Sequence, residues 1–431
     1  MSPLLFALLT FLILMFLGMP IVFVMTFSSI TYCFMAGKVA FLMVVTEKMF
    51  RGMDSFVLLA IPMFIMCGEV MNRGGITSAI VRFADLLVGR VKGGLAYVNT
   101  LASTFFAGIT GSALSDIASL GSILIPSMEK QGFDKDFSCA VTAATAIQGP
   151  LIPPSIPAVL VASATGLSTG ALFWGGAVPG ILIGLGSAVV IFVEGRFREF
   201  PRRTTRIPLK EALKVTVNSL LPLMTVVIIL VGMSSGLFTP TEAAAVALAY
   251  ALVITTLIYK PIPWKEFYDI CKNVLIQTST IYLIIAGATT FSYVLAIENI
   301  PTKLSDIING YAHSTTTVLI IINVILLLWG MFMDTAPSIL VLVPILLPVA
   351  TSAGINPIHF GVLVVTNLMI GMLTPPFGMA LYTTQSVGKC QMVKLIRTLI
   401  PFLVVDFIIL MLITFCPELV LALPRLFGFC S

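Results

Sequence analysis

Charge is what this chain has least of. Only 10% of its 431 residues are Asp, Glu, Lys or Arg, against roughly a quarter in a soluble domain. Residues 137–193 contain none, and residues 335–388 contain none apart from the titratable ring of His359. Each run far exceeds the ~20 residues that cross a bilayer. With 58% of the chain hydrophobic, a soluble core has no room for this apolar surface, and the chain reads as a polytopic membrane protein. Histidine is equally scarce, with only His313 and His359, and the seven cysteines show no CxxC spacing. A Cys/His metal site therefore has no support, and cysteines in apolar runs pack as small hydrophobes. No GxxxxGK[ST] loop is present, which excludes ATP hydrolysis by a P-loop of its own. No nucleophile-and-base constellation marks an enzyme. The N-terminal SPLLFALLTFLILMF lacks a basic flank and is expected to be a retained span, not a signal peptide.

What the chain does have is a long-range repeat. Gln148-Gly149-Pro150-Leu151-Ile152-Pro153-Pro154-Ser155 has a counterpart in Ile370-Gly371-Met372-Leu373-Thr374-Pro375-Pro376-Phe377, offset by 222 residues (375 minus 153). The same offset carries Pro126 to Pro348, Gly132 to Gly354 and Asp134 to Asn356. Upstream of each copy one acid stands alone in an apolar stretch, Asp116 and Asp334. Helix breakers at matching places in two hydrophobic halves point to the binding site of a secondary transporter.

Spans are expected near 4–36, 54–72, 137–162, 172–194, 218–236, 241–259, 274–296, 358–383 and 398–422. The stretches 94–128 and 315–352 hold either two spans or a re-entrant hairpin each. The hairpin reading rests on their middles, Gly108 to Asp116 and Gly330 to Ser338, which are too apolar for aqueous loops. Non-helical backbone at membrane depth survives only inside protein or against a cavity. The net charge of +5 reflects orientation signals, because seven of the 24 Lys and Arg fall between Arg196 and Lys214. With that segment cytoplasmic, 19 lie inside and five outside (Lys38, Lys48, Arg51, Lys303 and Arg425). The hairpins then open to opposite sides, as an inverted repeat requires. The division is residues 1–53 as an N-terminal span and interfacial arm and 54–194 as the first repeat. A basic cytoplasmic connector (195–217) and a second half (218–431) follow.

The Pro-Pro elements should unwind their helices for about a turn, since proline removes a donor and clashes with the preceding turn. Freed carbonyls, hydroxyls and half-helix ends suit a dehydrated sodium ion. Gly149, Pro150, Pro153 and Ser155 are the candidates at the first break, and Gly371, Thr374, Pro375 and Gly378 at the second. In the tips, Thr110, Ser112, Thr335 and Ser338 are placed to ligate an ion or bond a substrate. Asp116 and Asp334 either support a cation or organise the tips by capping helices. Glu69, near Arg73, reads as interfacial. Phe105, Phe106, Trp174 and Trp329 read as packing.

On these residues the chain resembles the large membrane (M) subunit of tripartite ATP-independent periplasmic (TRAP) transporters. The motifs that carry this are AIPMFIMCGEVMNRGGI (60–76), TGSALSDIASLGSILIP (110–126), IPPSIP (152–157), SGLFTPTEAAAVA (235–247), MDTAPSILVLVPILLP (333–348) and GMLTPPFG (371–378). The resemblance implies an all-α, inverted-repeat, elevator-type fold in a bacterial inner membrane, with two re-entrant hairpins and two broken helices. It implies sodium-coupled uptake of an organic acid, such as a dicarboxylate or sialic acid, delivered by a periplasmic binding protein. A small four-helix membrane subunit, expected on a separate chain, braces the scaffold. Two or more sodium ions are implied, and no other cofactor. One site maps to Thr110, Ser112, Asp116, Gly149, Pro150, Pro153 and Ser155, the other to Gly330, Asp334, Thr335, Gly371, Thr374, Pro375 and Gly378. Substrate is expected between the tips, at Ser112, Ser155, Thr335 and Thr374. A stand-alone symporter of the same broad fold, an intramembrane enzyme and a channel are the competing readings. An acid dyad of Asp116 and Asp334 would be needed for the enzyme, yet both lie in repeat-related turns.

Overall fold

A computed structural model describes residues 2–38, 41–202, 208–311 and 314–430, and all regular structure among them is helical. Five helices precede the first hairpin: α1 (Pro3–Phe16), α2 (Ile21–Met35), α3 (Phe41–Met53), α4 (Ala60–Arg73) and α5 (Ile76–Val88). The hairpin is α6 (Gly94–Thr110) and α7 (Ala113–Lys130). An interrupted helix follows, α8 (Lys135–Ala146) and α9 (Ile156–Thr165), then the long α10 (Thr169–Phe197). The second half opens with α11 (Leu209–Ser234), α12 (Pro240–Leu257), α13 (Trp264–Ile297) and α14 (Ile300–Tyr311). A second hairpin, α15 (Thr315–Gly330) and α16 (Thr335–Ser352), leads to a second interrupted helix, α17 (Pro357–Leu373) and α18 (Met379–Gly388). The chain closes with α19 (Met392–Phe415) and α20 (Glu418–Leu426). Seven helices among the described residues are long and apolar enough to cross a membrane.

The 222-residue offset reappears in the helix ends. Adding it to the first and last residues of α7 gives 335 and 352, the ends of α16. α8 and α17 also start 222 apart, and their caps correspond: Asp136 N donates to Asp134 Oδ1 (3.3 Å), and Ile358 N donates to Asn356 Oδ1 (2.9 Å). Asp and Asn both satisfy orphan amides at a helix start. Packing repeats as well. The second arm of each hairpin lies against the second half of the other interrupted helix, α7 on α18 and α16 on α9. Under the offset these are one contact made twice, so the two repeats interlock.

Lipid-facing and core-facing stripes are separated on α10. Ile181, Leu185, Val189 and Phe192 recur every three or four residues and stay about half exposed. The opposite face is glycine: a Cβ on Gly176 would sit 2.6 Å from the Leu151 carbonyl, and one on Gly184 would sit 2.6 Å from Gln148 Oε1. Small residues let backbones approach closely in membranes, and here they seat α10 against the first interruption. The TPTE segment has a structural role. Thr239 caps α12, Pro240 occupies its first turn, and Glu242 reaches back to Thr239 N (2.8 Å), which completes a capping box.

Several elements depart from the sequence reading. The single span expected at 4–36 is two short helices, α1 and α2, which pack against each other. Pro20 lacks the amide a continuous helix needs there. Between the span expected at 54–72 and the first hairpin the chain forms a further helix, α5, which buries Ile76, Ile80 and Ala84 at four-residue spacing. The basic connector is shorter than 195–217, because α10 runs to Phe197 and α11 begins at Leu209. Residues 203–207 of that connector, and His313, lie outside the described residues.

Candidate substrate and ion site

The first tip is tighter than its glycines and hydroxyls suggest. α6 continues through Gly108 to Thr110, so only Gly111 and Ser112 are non-helical. Gly111 has φ +61°, which turns the chain at little cost only without a side chain. A Cβ there would also lie 2.5 Å from the Pro154 carbonyl, so the tip rests on the first interruption. Ser112 starts α7 in extended conformation, and its hydroxyl makes no capping bond. Thr110 donates its hydroxyl to Asp116 Oδ1 in a short hydrogen bond. The other oxygen, Asp116 Oδ2, is buried and has no hydrogen-bond partner among the described residues. It lies against Gly149, where a Cβ would collide with it.

The first interruption covers residues 147–155, longer than one turn. Gln148 O accepts from Leu151 N and Ile152 N (3.0 Å each). Ser155 caps α9, accepting from Ala158 N (3.1 Å) and donating to the Pro150 carbonyl. The carbonyls of Gly149, Pro153 and Pro154 accept no hydrogen bond among the described residues. Buried acceptors left this way are costly unless something meets them. Tip and interruption converge: Thr110, Asp116, Gly149, Pro150, Pro153 and Ser155 form one buried group, with Ser112 at its edge.

The second group is built on the same plan with different side chains. Gly371 meets Gly330 backbone to backbone, since a Cβ on Gly371 would lie 2.9 Å from Gly330 Cα. Gly378 N donates to Met331 O (3.1 Å) and ties the second tip to the second interruption. Thr374 donates to Ile370 O (2.8 Å), and Thr335 Oγ1 contacts Met372 Sδ (2.9 Å). Pro153-Pro154 and Pro375-Pro376 are both cis. Pro376 and Phe377 are exposed, whereas Pro153 and Pro154 are buried.

The two acids are not equivalent, contrary to the symmetric pairing expected of them. Adding 222 to Ser112 gives Asp334, and adding it to Asp116 gives Ser338. The first hairpin has a serine at the cap and an acid in the first turn; the second has the reverse. Asp334 caps α16, accepting from Thr335 N (2.8 Å), and Ser338 donates to Asp334 O (2.6 Å). Asp334 thus organises its tip, while Asp116 presents a free oxygen to the interruption. The 222-residue offset carries this exchange in the sequence itself, Ser112 onto Asp334 and Asp116 onto Ser338.

A cavity of about 760 Å³ separates the tips. Ser112 and Thr335 line it, as do Thr110, Gly111, Pro150 and Asp334. Ser155, Thr374, Pro375 and Gly378 do not line it; they lie behind the tips. Its far wall is α4 and α13, including Glu69, Asn72, Arg73 and Gln277. Glu69, expected to be interfacial, instead faces the cavity together with Arg73. Their placement is set by tertiary packing: Gly68 fits against the Thr110 backbone, where a Cβ would lie 3.3 Å from Thr110 Cα.

Two segments, 166–170 and 232–236, match the Gly-Xaa-Ser-Xaa-Gly spacing of a hydrolase nucleophile elbow. Neither follows a strand. Ser168 caps α10 through Ala171 N (3.3 Å), and Ser234 accepts from Trp174 Nε1 (2.8 Å) while donating to Leu230 O (2.7 Å). Both serines are structural.

Paired hairpins, paired interrupted helices and a cavity between the tips define a polytopic secondary transporter. Comparison with known proteins agrees. Residues 8–419 match the family model of the tripartite ATP-independent periplasmic transporter, DctM component. The chain is 40% identical to the sialic acid TRAP transporter large permease protein SiaM of Vibrio cholerae, over 96% of both chains. It is 38% identical to the C4-dicarboxylate TRAP transporter large permease protein DctM of Pseudomonas aeruginosa, over 88% of this chain and 89% of that one. In structure it is similar to the Alcanivorax borkumensis YdaH transporter, with a TM-score of 0.64, 13% identity and 89% of each chain covered. The chain belongs to the TRAP transporter large permease family. It is a multi-pass membrane transport protein, not an enzyme.

Proposed function

We propose that this chain conducts sodium-coupled uptake of an organic acid across a bacterial inner membrane. A periplasmic binding protein delivers the acid, and a small membrane subunit holds the scaffold. The observation that carries the reading is the cavity shared by both tips, backed by a buried carboxylate oxygen and several carbonyls without partners. A monovalent cation is the ligand such a group suits, since it needs several oxygens and only one charge. Sodium held at Asp116, Gly149 and the Pro153 and Pro154 carbonyls would fix the first tip against its interruption. A second ion near Gly330, Thr335, Thr374 and Gly378 would do so for the second. The hairpins and interrupted helices then travel together past α4, α11, α12 and α13 in an elevator-type movement. The named substrates of the relatives, sialic acid and C4-dicarboxylates, support carboxylates as the class.

The test is reconstitution of the chain with its small subunit, followed by an organic-acid screen with and without candidate binding proteins. Uptake is expected only with a matching binding protein. Equal uptake without one would favour a stand-alone symporter.

A further inference from the structure

One cation faces the cavity. Arg73 is the only Lys or Arg that lines it among the described residues. It is exposed and forms no ion pair among the described residues, although Glu69 precedes it by one turn on the same helix and also lines the cavity. Glu four residues before a basic residue is the favourable order for a helical pair, yet the two side chains do not meet here, and both are left available. Between them, Asn72 is fixed by two contacts. Its Nδ2 donates to Ser119 Oγ of α7 (2.7 Å), and its Oδ1 accepts from Thr77 Oγ1 (2.8 Å). With Gly68 at Thr110 and Asn72 bonded to Ser119, α4 stands beside the first tip. Glu69 then stands level with the tip, and Arg73 lies a turn (~6 Å) further along. Uncharged polar side chains, Ser115, Ser119, Ser122, Gln277 and Thr280, line the same cavity among apolar ones such as Ile276, Ile281 and Met369.

We propose that, while the tips stand beside α4, Arg73 anchors the substrate carboxylate, and that Glu69 accepts from substrate hydroxyls and repels a second carboxylate. The cavity then selects a polyhydroxylated monocarboxylate over a C4-dicarboxylate. Arg73 is the one positive partner offered to a carboxylate, and the hydroxyls and amides of Ser115, Ser119, Ser122, Gln277 and Thr280 suit a polyol. A dicarboxylate would leave its second charge against Glu69, which is a repulsive means of discrimination. This inference rests on the transport reading above and deepens it.

The test is calorimetric binding to the purified chain with its small subunit, in sodium and in choline. The probes are N-acetylneuraminate, its uncharged methyl ester, D-gluconate and succinate. Wild type is expected to bind a monocarboxylate at least about tenfold more tightly than succinate or the ester. Arg73→Gln should weaken the monocarboxylate by about ten- to a hundredfold and abolish discrimination against the ester, while Arg73→Lys keeps that discrimination. Glu69→Gln should strengthen succinate binding. An Arg73→Gln affinity within twofold of wild type, or wild-type succinate binding as tight as the monocarboxylates, would overturn the proposal. Binding that ignores sodium while the Arg73 arms respond would refute sodium coupling alone. A flat Arg73 response with intact sodium dependence would refute the anchor alone, and absence of binding by every probe would refute both. An unchanged sodium response in Arg73→Gln shows that the variant is folded.

Discussion

Gly111→Ala is expected to abolish sodium-driven uptake, with a loss of at least about a hundredfold. Two costs coincide at this position. The residue holds φ +61°, a conformation that costs a side-chain-bearing residue about 1–2 kcal/mol. Its new Cβ would also lie 2.5 Å from the Pro154 carbonyl, a backbone atom that cannot rotate away. The tip must lift off the interruption, and the carbonyls proposed to hold the ion lose their facing wall. Helices α6 and α7 are otherwise untouched, so the variant should still assemble with its small subunit. Initial uptake rates in proteoliposomes, alongside gel filtration of the complex, check this. Near-normal uptake would mean that close approach of tip and interruption is unimportant for transport.

Asp116→Asn should reduce sodium-driven uptake by about a hundredfold and raise the sodium concentration for half-maximal rate. The substitution nearly preserves shape and still offers Thr110 an acceptor. It replaces Oδ2, the buried oxygen without a partner, by an amide whose hydrogens point at Gly149 and repel a cation. Losing the negative partner of a buried charge costs about 3–5 kcal/mol. Asp334→Asn should be far milder, because Asn also caps a helix and the observed bond from Thr335 N survives the change. The contrast between the two variants, read as sodium-activation curves, separates ion binding from tip organisation. Equal defects in both would show that the acids share one role.

Much of this architecture was legible because its signals are local. Pro153-Pro154 and Pro375-Pro376 break helices wherever they occur in a chain, and an apolar run without charges marks a span. The 222-residue offset located corresponding helix ends to within a residue or two, as α7 and α16 show. Other features depend on packing that no local pattern encodes. α5 is amphipathic: Arg82 and Asp85 lie off its buried stripe of Ile76, Ile80 and Ala84, so the segment lacks the charge-free run that marks a span. Glu69 and Arg73 belong to the cavity only because α4 lies beside the first tip, which glycine at position 68 permits. Ser155 and Thr374 carried the right chemistry, yet the structure places both hydroxyls in bonds to their own backbone, outside the cavity lining. The swapped order of serine and acid in the two tips was readable by counting, and it gives Asp116 and Asp334 different tasks.

The most direct measurement is uptake of the identified acid into proteoliposomes bearing the complete transporter. An inward sodium gradient is compared with equimolar choline at a clamped membrane potential. Uptake above equilibrium should occur in sodium, saturate with its concentration and vanish in choline. Concentrative uptake of equal size in choline would contradict a cation held between each tip and its interrupted helix.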